Sequence, residues 1–272
     1  MGAATGSKSI HLRTAFISDV HLGTRGCRAD LLLEFLKSIH VETLVLVGDI
    51  IDMWSLRRNV FWPQEHINVI RTILGQAKRG TRVIYVPGNH DEVFRELAGS
   101  VFGNLEVQRE YVHETVAGRR LLVVHGDEFD GMVKCSPWLA ALGVWIYDVL
   151  LWLNHHLDVL RRALGFPYWS LASYLKHKSR NAVEHIRRFE HAAASLARRR
   201  GLDGIVCGHI HRARVTRLES VLYCNDGDWV ESCTTLVEDL NGALSLWRWS
   251  EQRARLDSAA AMARDEPIER AA

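Results

Sequence analysis

Asp19, His21, Asp49, Asn89, His125, His209 and His211 are all side chains that bind borderline divalent metals, and they fall in short clusters in a fixed order along the chain. Each cluster follows an apolar run. Ile17-Ser18 leads into Asp19-Val20-His21, and Leu44 to Val47 leads into Gly48-Asp49. Val83 to Val86 leads into Pro87-Gly88-Asn89-His90-Asp91, Leu121 to Val124 into His125-Gly126-Asp127, and Ile205 to Cys207 into Gly208-His209-Ile210-His211. Asp, Asn and His in mixed coordination suit manganese, iron, zinc or cobalt better than calcium, which prefers an all-oxygen shell. Seven such residues suffice for two ions. A pair of ions roughly 3.5–4 Å apart, sharing one carboxylate, lets a bridging hydroxide attack a phosphorus while both ions offset charge. The Asp-x-His and His-x-His spacings put alternate residues on one side of an extended segment, so each pair could reach one ion. Glycines at 48, 88, 126 and 208 allow sharp turns and a close approach of backbone to phosphate.

Such residues need a scaffold that brings strand ends together. Strand-like runs lie near 13–18, 43–47, 82–86, 105–112 and 120–124, with helical patterns over 29–39 and 63–79. This alternation predicts a layered α/β fold in which all five clusters sit beyond the carboxyl ends of strands, on one rim. From 128 to about 200 the pattern is helical throughout. Strand signals resume at 204–207, 214–218, 221–225, 232–238 and 243–249, and the turn sequences Asn225-Asp226-Gly227 and Asn241-Gly242 suggest antiparallel hairpins. The expected organisation is a core of residues 10–127 and 201–250, a helical lid of 128–200 inserted into it, and a polar tail of 251–272.

The remaining composition narrows the class of protein. A chain of 272 residues that is 47% hydrophobic and 24% charged, with a net charge of +2, is that of an ordinary globular protein. Five cysteines without a C-x-x-C pair argue against a disulfide framework or a thiolate zinc site, and for a reducing compartment. The first residues lack the pattern of a secretory signal, and Gly2 lacks the context for myristoylation. The apolar run from Trp138 to Leu153, interrupted by Asp148, is shorter than the roughly 20 residues that a membrane-spanning helix needs.

Together, Asp19-Val20-His21, Gly48-Asp49-Ile50-Ile51-Asp52, Gly88-Asn89-His90-Asp91, His125-Gly126-Asp127 and Gly208-His209-Ile210-His211 resemble the complete signature of the calcineurin-like metallophosphoesterases, across residues 14 to 235. That resemblance implies a four-layer αββα sandwich of two mixed sheets. It implies that Asp19, His21, Asp49 and His211 hold one ion and that Asp49, Asn89, His125 and His209 hold the other, with Asp49 bridging. His90 then stands beside the metals as the catalytic side chain, protonating the leaving oxygen or stabilising phosphoryl oxygens, with Asp91 orienting its ring. Asp52 and Asp127 read equally well as turn or helix caps and as members of the site.

The inserted segment bears on the substrate. Its first part, around Trp138 to Leu153, is apolar nearly all round, whereas His155 to Arg200 holds ten Lys or Arg against three acids. A greasy slot with a cationic rim suits an amphiphile carrying acyl chains and a diphosphate, or an anionic membrane surface; a helical hairpin with a solvated basic face is the plainer reading. Gly208-His209-Ile210-His211-Arg212, followed by Gly227-Asp228-Trp229 and combined with a helical insertion after His125, is similar to the UDP-2,3-diacylglucosamine diphosphatases. This implies a manganese enzyme of the cytoplasm, peripheral on the inner face of the membrane, that cuts an acylated sugar nucleotide in lipid A synthesis. It places Trp54 near the nucleotide, and Asn89, Asp127, Lys176, Lys178 and Arg180 near the substrate. One position departs: that family typically has Arg after the Gly-Asn pair, whereas this chain has His90, as generic phosphoesterases do. The alternative substrate is nucleic acid or another nucleotide, met by the basic insertion. The insertion's aromatics, however, cluster in its apolar half, away from most of the basic residues, which argues against nucleic acid. No feature points to a protein partner.

Overall fold

The computed structural model describes residues 9–132 and 180–253. Two mixed β-sheets pack face to face. The first holds seven strands in the order β12-β11-β1-β2-β3-β5-β4 and the second five, in the order β6-β7-β8-β10-β9. In the first sheet β1 (Ile10–Ile17), β2 (Ile39–Val47), β3 (Arg82–Val86) and β5 (Leu105–Val107) run parallel. Antiparallel edges are added by β4 (Val101–Phe102), β11 (Thr234–Glu238) and β12 (Leu244–Arg248). In the second sheet β7 (Arg120–Val123), β8 (Gly204–Cys207) and β10 (Val221–Asn225) run parallel between β6 (Tyr111–Glu114) and β9 (Arg214–Leu218).

Three hydrophobic layers hold the sandwich together, and the central strands feed two of them at once. Along β2, Leu44 and Leu46 face the helices α1 (Ala29–Ser38) and α3 (Gln64–Lys78), while Val45 and Val47 face the second sheet. Along β7, Leu121 and Val123 meet the first sheet, and Leu122 faces α4 (Arg180–Arg199). A strand covered on both faces is apolar at every position, which is why these segments read as continuous runs rather than alternations. The order α, β, β, α is the predicted four-layer sandwich.

Some expectations shift. The run 105–112 is not one strand: it splits at Gln108–Glu110, with β5 in one sheet and β6 in the other. Asn241-Gly242 does close a hairpin, β11–β12, but Asn225-Asp226-Gly227 carries the chain from the second sheet to the first, and the neighbouring hairpin, β9–β10, turns at Glu219-Ser220 instead. A short helix not anticipated, α2 (Met53–Arg58), has no buried residue. Within the segment 128–200, α4 is the outer layer of the second sheet, burying Ile186, Phe189, Ala193 and Ala197 against it. The apolar stretch 138–153 and the rest of 133–179 lie outside the described residues. Among the described residues no helix is long and apolar enough to cross a membrane.

Candidate metal centre

The chain does not leave its strands extended, as the Asp-x-His and His-x-His spacings suggested. Asp19, His21, Asp49, His209 and His211 all have positive φ, between 48° and 67°. Each such residue costs on the order of 1–2 kcal/mol relative to a right-handed conformation, so the surroundings must enforce it. Here the backbone does so. The N–H groups of Val20 and His21 both donate to Asp49 O (3.0 and 2.9 Å), and Leu22 N donates to Ile50 O (2.9 Å), locking the first two loops side by side. Each sharp turn folds a side chain back over its own strand end, into the seam where the two sheets meet. The clusters therefore converge beyond the carboxyl ends of strands that belong to both sheets.

The convergence is close. His125 Nε2, from the second sheet, lies 3.3 Å from Asp49 Oδ2 of the first. The same Asp49 oxygen lies 3.9 Å from His21 Nε2, so it stands between two groups of ligands. Asp19 Oδ1 is 3.1 Å from His211 Nε2 and 3.9 Å from His21 Nε2. Ligand atoms of Asp19, His21 and His211 fall within 4.8 Å of one another, and so do those of Asp49, His125 and His209. Each group holds three of the four residues expected around one ion, and a third group, His21, Asp49 and His90, lies between them.

The donor atoms fit divalent cations on independent grounds. Asp19 Oδ1, His21 Nε2, Asn89 Oδ1 and His125 Nε2 are buried polar atoms without a hydrogen-bond partner among the described residues. A buried polar atom left unsatisfied costs about 1–3 kcal/mol, and four in one seam call for a ligand that satisfies them together. The opposite ring nitrogens are occupied: His125 Nδ1 donates to Val47 O (2.9 Å) and His21 Nδ1 lies 3.1 Å from Asp52 Oδ2. Outer contacts of this kind select the tautomer that leaves Nε2 for a metal. The glycines serve the same seam. A Cβ on Gly48 would come within 2.3 Å of His125 Nδ1, and one on Gly88 within 2.3 Å of Asp49 Oδ1, so these positions clear room for the candidate ligands.

Electrostatics reinforce the arrangement. Burial opposes ionisation of Asp19 and Asp49, but neighbouring histidines, His211 for Asp19 and His125 for Asp49, hold both carboxyls below their ordinary range. Burial pulls the His21 pKa down, yet its bond to Asp52 and the charges of Asp49 and Asp19 prevail and raise it to about 9.

His90 stands beside this cluster, but Asp91 does not orient it. Asp91 is fully buried and accepts from the backbone N–H groups of Gly88 (2.6 Å), Ile50 (2.8 Å) and Asp49 (3.2 Å) and from the Tyr85 hydroxyl (2.5 Å). It is a scaffold that fastens two ligand loops together. The ring of His90 is held by Asp52, whose Oδ2 lies 2.9 Å from Nδ1. Asp52 also caps α2, accepting from Ser55 N, so one carboxylate is both a helix cap and the partner of His21 and His90. Trp54 lies against His90, ring centroids 4.2 Å apart at 32°, and keeps 42% of its surface exposed.

The other expected substrate contacts are less concentrated. Asp127 pairs with Arg95 (2.7 Å) at the start of a 3-10 helix, Asp127–Met132. Lys176 and Lys178 lie outside the described residues, and Arg180 is the first residue of α4. Two acidic residues escaped sequence reasoning. Asp130 Oδ2 lies 2.8 Å from His209 Nε2. Asp226, fully buried, accepts from Ser18 Oγ, which also contacts Asp19. Neither stands in a ligand spacing; only the adjacency of Ser18 to Asp19 and of Asp226 to the Gly227-Asp228-Trp229 motif hinted at the second.

Residues 12–213 match the model of the calcineurin-like phosphoesterase family. A UDP-2,3-diacylglucosamine hydrolase of Xanthomonas axonopodis pv. citri is 26% identical over 254 residues, which cover 85% of this chain and 97% of that protein. A DNA polymerase II small subunit of Methanothermobacter thermautotrophicus is 28% identical over 160 residues, 46% of this chain; the chain spans about a third of that protein's length (32%). Among solved structures, the phosphoesterase Yfce from E. coli shares 16% identity, with 86% of this chain and 98% of the other covered and a TM-score of 0.42.

Proposed function

Since the chain belongs to the calcineurin-like phosphoesterases and is a metal-dependent phosphoester hydrolase, we propose that its substrate is an acylated sugar-nucleotide diphosphate of the UDP-2,3-diacylglucosamine type. One observation carries the substrate: similarity to the Xanthomonas hydrolase runs almost end to end in both chains, whereas similarity to the polymerase subunit covers a part of each. Asp19, His21, Asp49 and His211 would hold one divalent ion and Asp49, Asn89, His125 and His209 the other, manganese first, with iron, zinc or cobalt accommodated by the same donors. Such ions supply charge neutralisation at the phosphate and a water of lowered pKa.

The chain's own residues account for the rest. His90, held by Asp52 and a quarter exposed to solvent, would give a proton to the leaving oxygen, and the exposed face of Trp54 would offer a platform for a base. Exposed Arg57 and Arg58 on α2 add positive charge at the same margin. The acyl chains would be received by the inserted segment, of which residues 133–179, with Lys176 and Lys178, lie outside the described residues. A site on the cytoplasmic face of the membrane follows from such a substrate.

The test is a manganese-reconstituted activity panel containing UDP-diacylglucosamine, its unacylated analogue, and single-stranded and duplex DNA. Preference for the acylated substrate is expected. Preference for DNA would replace this reading with that of a nucleic-acid phosphodiesterase, and loss of bis-p-nitrophenyl phosphate hydrolysis in Asp49→Ala and His125→Ala would tie either activity to the metal seam.

A further inference from the structure

The second ring nitrogen of His209 is engaged in the reverse sense from those of His21 and His125. In those two rings Nδ1 is tied to an oxygen and Nε2 is left for a metal. In His209 it is Nε2 that meets a carboxylate, Asp130 Oδ2, at 2.8 Å. We propose that Asp130 is a positioning residue for His209: by accepting from Nε2–H it selects the tautomer whose Nδ1 lone pair serves the ion shared with Asp49 and His125. This rests on the reading of His209 as a ligand.

The packing around the pair shows why Asp130 can do this from an open position. Its side chain is 53% exposed, which alone would make the contact a weak surface pair. The preceding residue, Phe129, is buried, and its ring meets Phe189 of α4 edge to face, with centroids 5.3 Å apart. Phe129 N also donates to Gly126 O (3.0 Å), which closes the turn directly after His125. Asp130 therefore projects from an anchored backbone. Phe189 in turn stacks on the His209 ring, with centroids 6.1 Å apart at 28°, and His125 meets that ring edge on at 5.1 Å. His209 N donates to Asp19 Oδ2 (2.8 Å), fixing the backbone end of the same residue. The ring has few remaining freedoms, and the flip that would exchange Nδ1 for Nε2 is the one that Asp130 opposes. The 3-10 helix Asp127–Met132 and α4, which flank residues 133–179 in the chain, thus both hold this one ligand.

Carboxylate contacts to ligand histidines are typically worth 10–100-fold in metal affinity. Manganese binding by calorimetry should show one of two sites weakened by that factor in Asp130→Ala, with a smaller loss in Asp130→Asn, whose amide oxygen can still accept from Nε2–H. In the metal-free protein, long-range proton–nitrogen NMR should find His209 as the Nε2–H tautomer, shifting to a mixture in Asp130→Ala. Because Asp130 is largely solvated, both variants should retain the parent circular dichroism and melting temperature. Unchanged affinity and tautomer in Asp130→Ala, with one site abolished in His209→Ala, would overturn the proposal while leaving the ligand reading intact. If Asp130→Asn lost a site as completely as Asp130→Ala, Asp130 would be a ligand itself and not a positioning residue. Two intact sites in His209→Ala would instead overturn the ligand reading.

Discussion

His21 and His90 direct their Nδ1 atoms at a single oxygen, Oδ2 of Asp52, at 3.1 and 2.9 Å, and their rings meet edge to face with centroids 4.7 Å apart. One carboxylate thereby sets the orientation of a candidate ligand and of the candidate proton donor. Burial disfavours the Asp52 anion, but bonds from both rings hold its pKa well below the usual carboxylate range, so it is ionised at any working pH. Asp52→Asn keeps the shape and removes the charge. It is expected to lower kcat about 10–100-fold, as is typical when the support of a ligand or acid is removed. KM for a small ester should change far less. Unaltered kcat in fully metal-loaded Asp52→Asn would show that the shared oxygen has no part in turnover.

The protonation state of His21 gives a second expectation. Its pKa of about 9 in the metal-free protein means that the ring carries a proton at neutral pH, and a metal must displace it. Affinity should therefore rise with pH, by up to about tenfold per unit for one displaced proton, and level off above 9. The same shift stabilises the metal-free fold in the opposite sense: the folded value lies above the ordinary 6.5, so the contribution is complete below that pH and lost as pH rises toward 9. Calorimetry in buffers of different ionisation enthalpy measures the proton release directly, and binding without release at pH 7 would contradict the shift.

How far these features were legible in the sequence depends on what each residue's role requires. The five ligand clusters and the central strands were readable, because a buried parallel strand is apolar at every position and metal ligands come from few residue types. The turns were not. Positive φ at Asp19, His21, Asp49, His209 and His211 has no compositional signature in Asp or His, and at the first three it accompanies hydrogen bonds between loops some thirty residues apart. The partner of His90 was misassigned for a similar reason. Asp91 is its neighbour in sequence, but Tyr85 and four backbone N–H groups claim that carboxylate, and the partner comes from the preceding strand's loop. Asn225-Asp226-Gly227 looked like a hairpin turn because its residue types are the same whether a chain folds back or crosses to another sheet.

Gly88 offers a steric test of the seam. Its φ is ordinary, so alanine is conformationally acceptable there, but the added Cβ would fall 2.3 Å from Asp49 Oδ1 and 2.7 Å from His125 Cδ2. Overpacking of this kind costs about 1–3 kcal/mol. Gly88→Ala should remain folded with a modestly lower melting temperature while losing most of its metal affinity, because Asp49 is the ligand displaced. Full metal occupancy in Gly88→Ala would argue that Asp49 Oδ1 has freedom that the hydrogen bond from His90 N (2.8 Å) denies it.

Far from the metal seam, Glu238 of β11 joins the two sheets and should govern acid stability. It is fully buried, accepting from His113 Nε2 (2.7 Å) of the second sheet, Thr14 Oγ1 (3.2 Å) of the first and the backbone N–H of Val116 (2.8 Å). Burial raises its pKa, but the bonds from His113 and Val116 outweigh this and leave it below the ordinary 4.5. A carboxyl depressed in the folded state contributes stability that is present above the unfolded value and lost as pH falls through the folded one. The parent protein should therefore lose melting temperature steadily below pH 4.5. Glu238→Gln removes the ionisable group and should lower the melting temperature at pH 7 while flattening its decline between pH 5 and 3. Glu238→Ala strands the His113, Thr14 and Val116 donors and should cost more, about 3–5 kcal/mol, as expected when one partner of a buried pair is deleted. Parallel melting curves for parent and Glu238→Gln across that pH range would show that other carboxyls control acid unfolding.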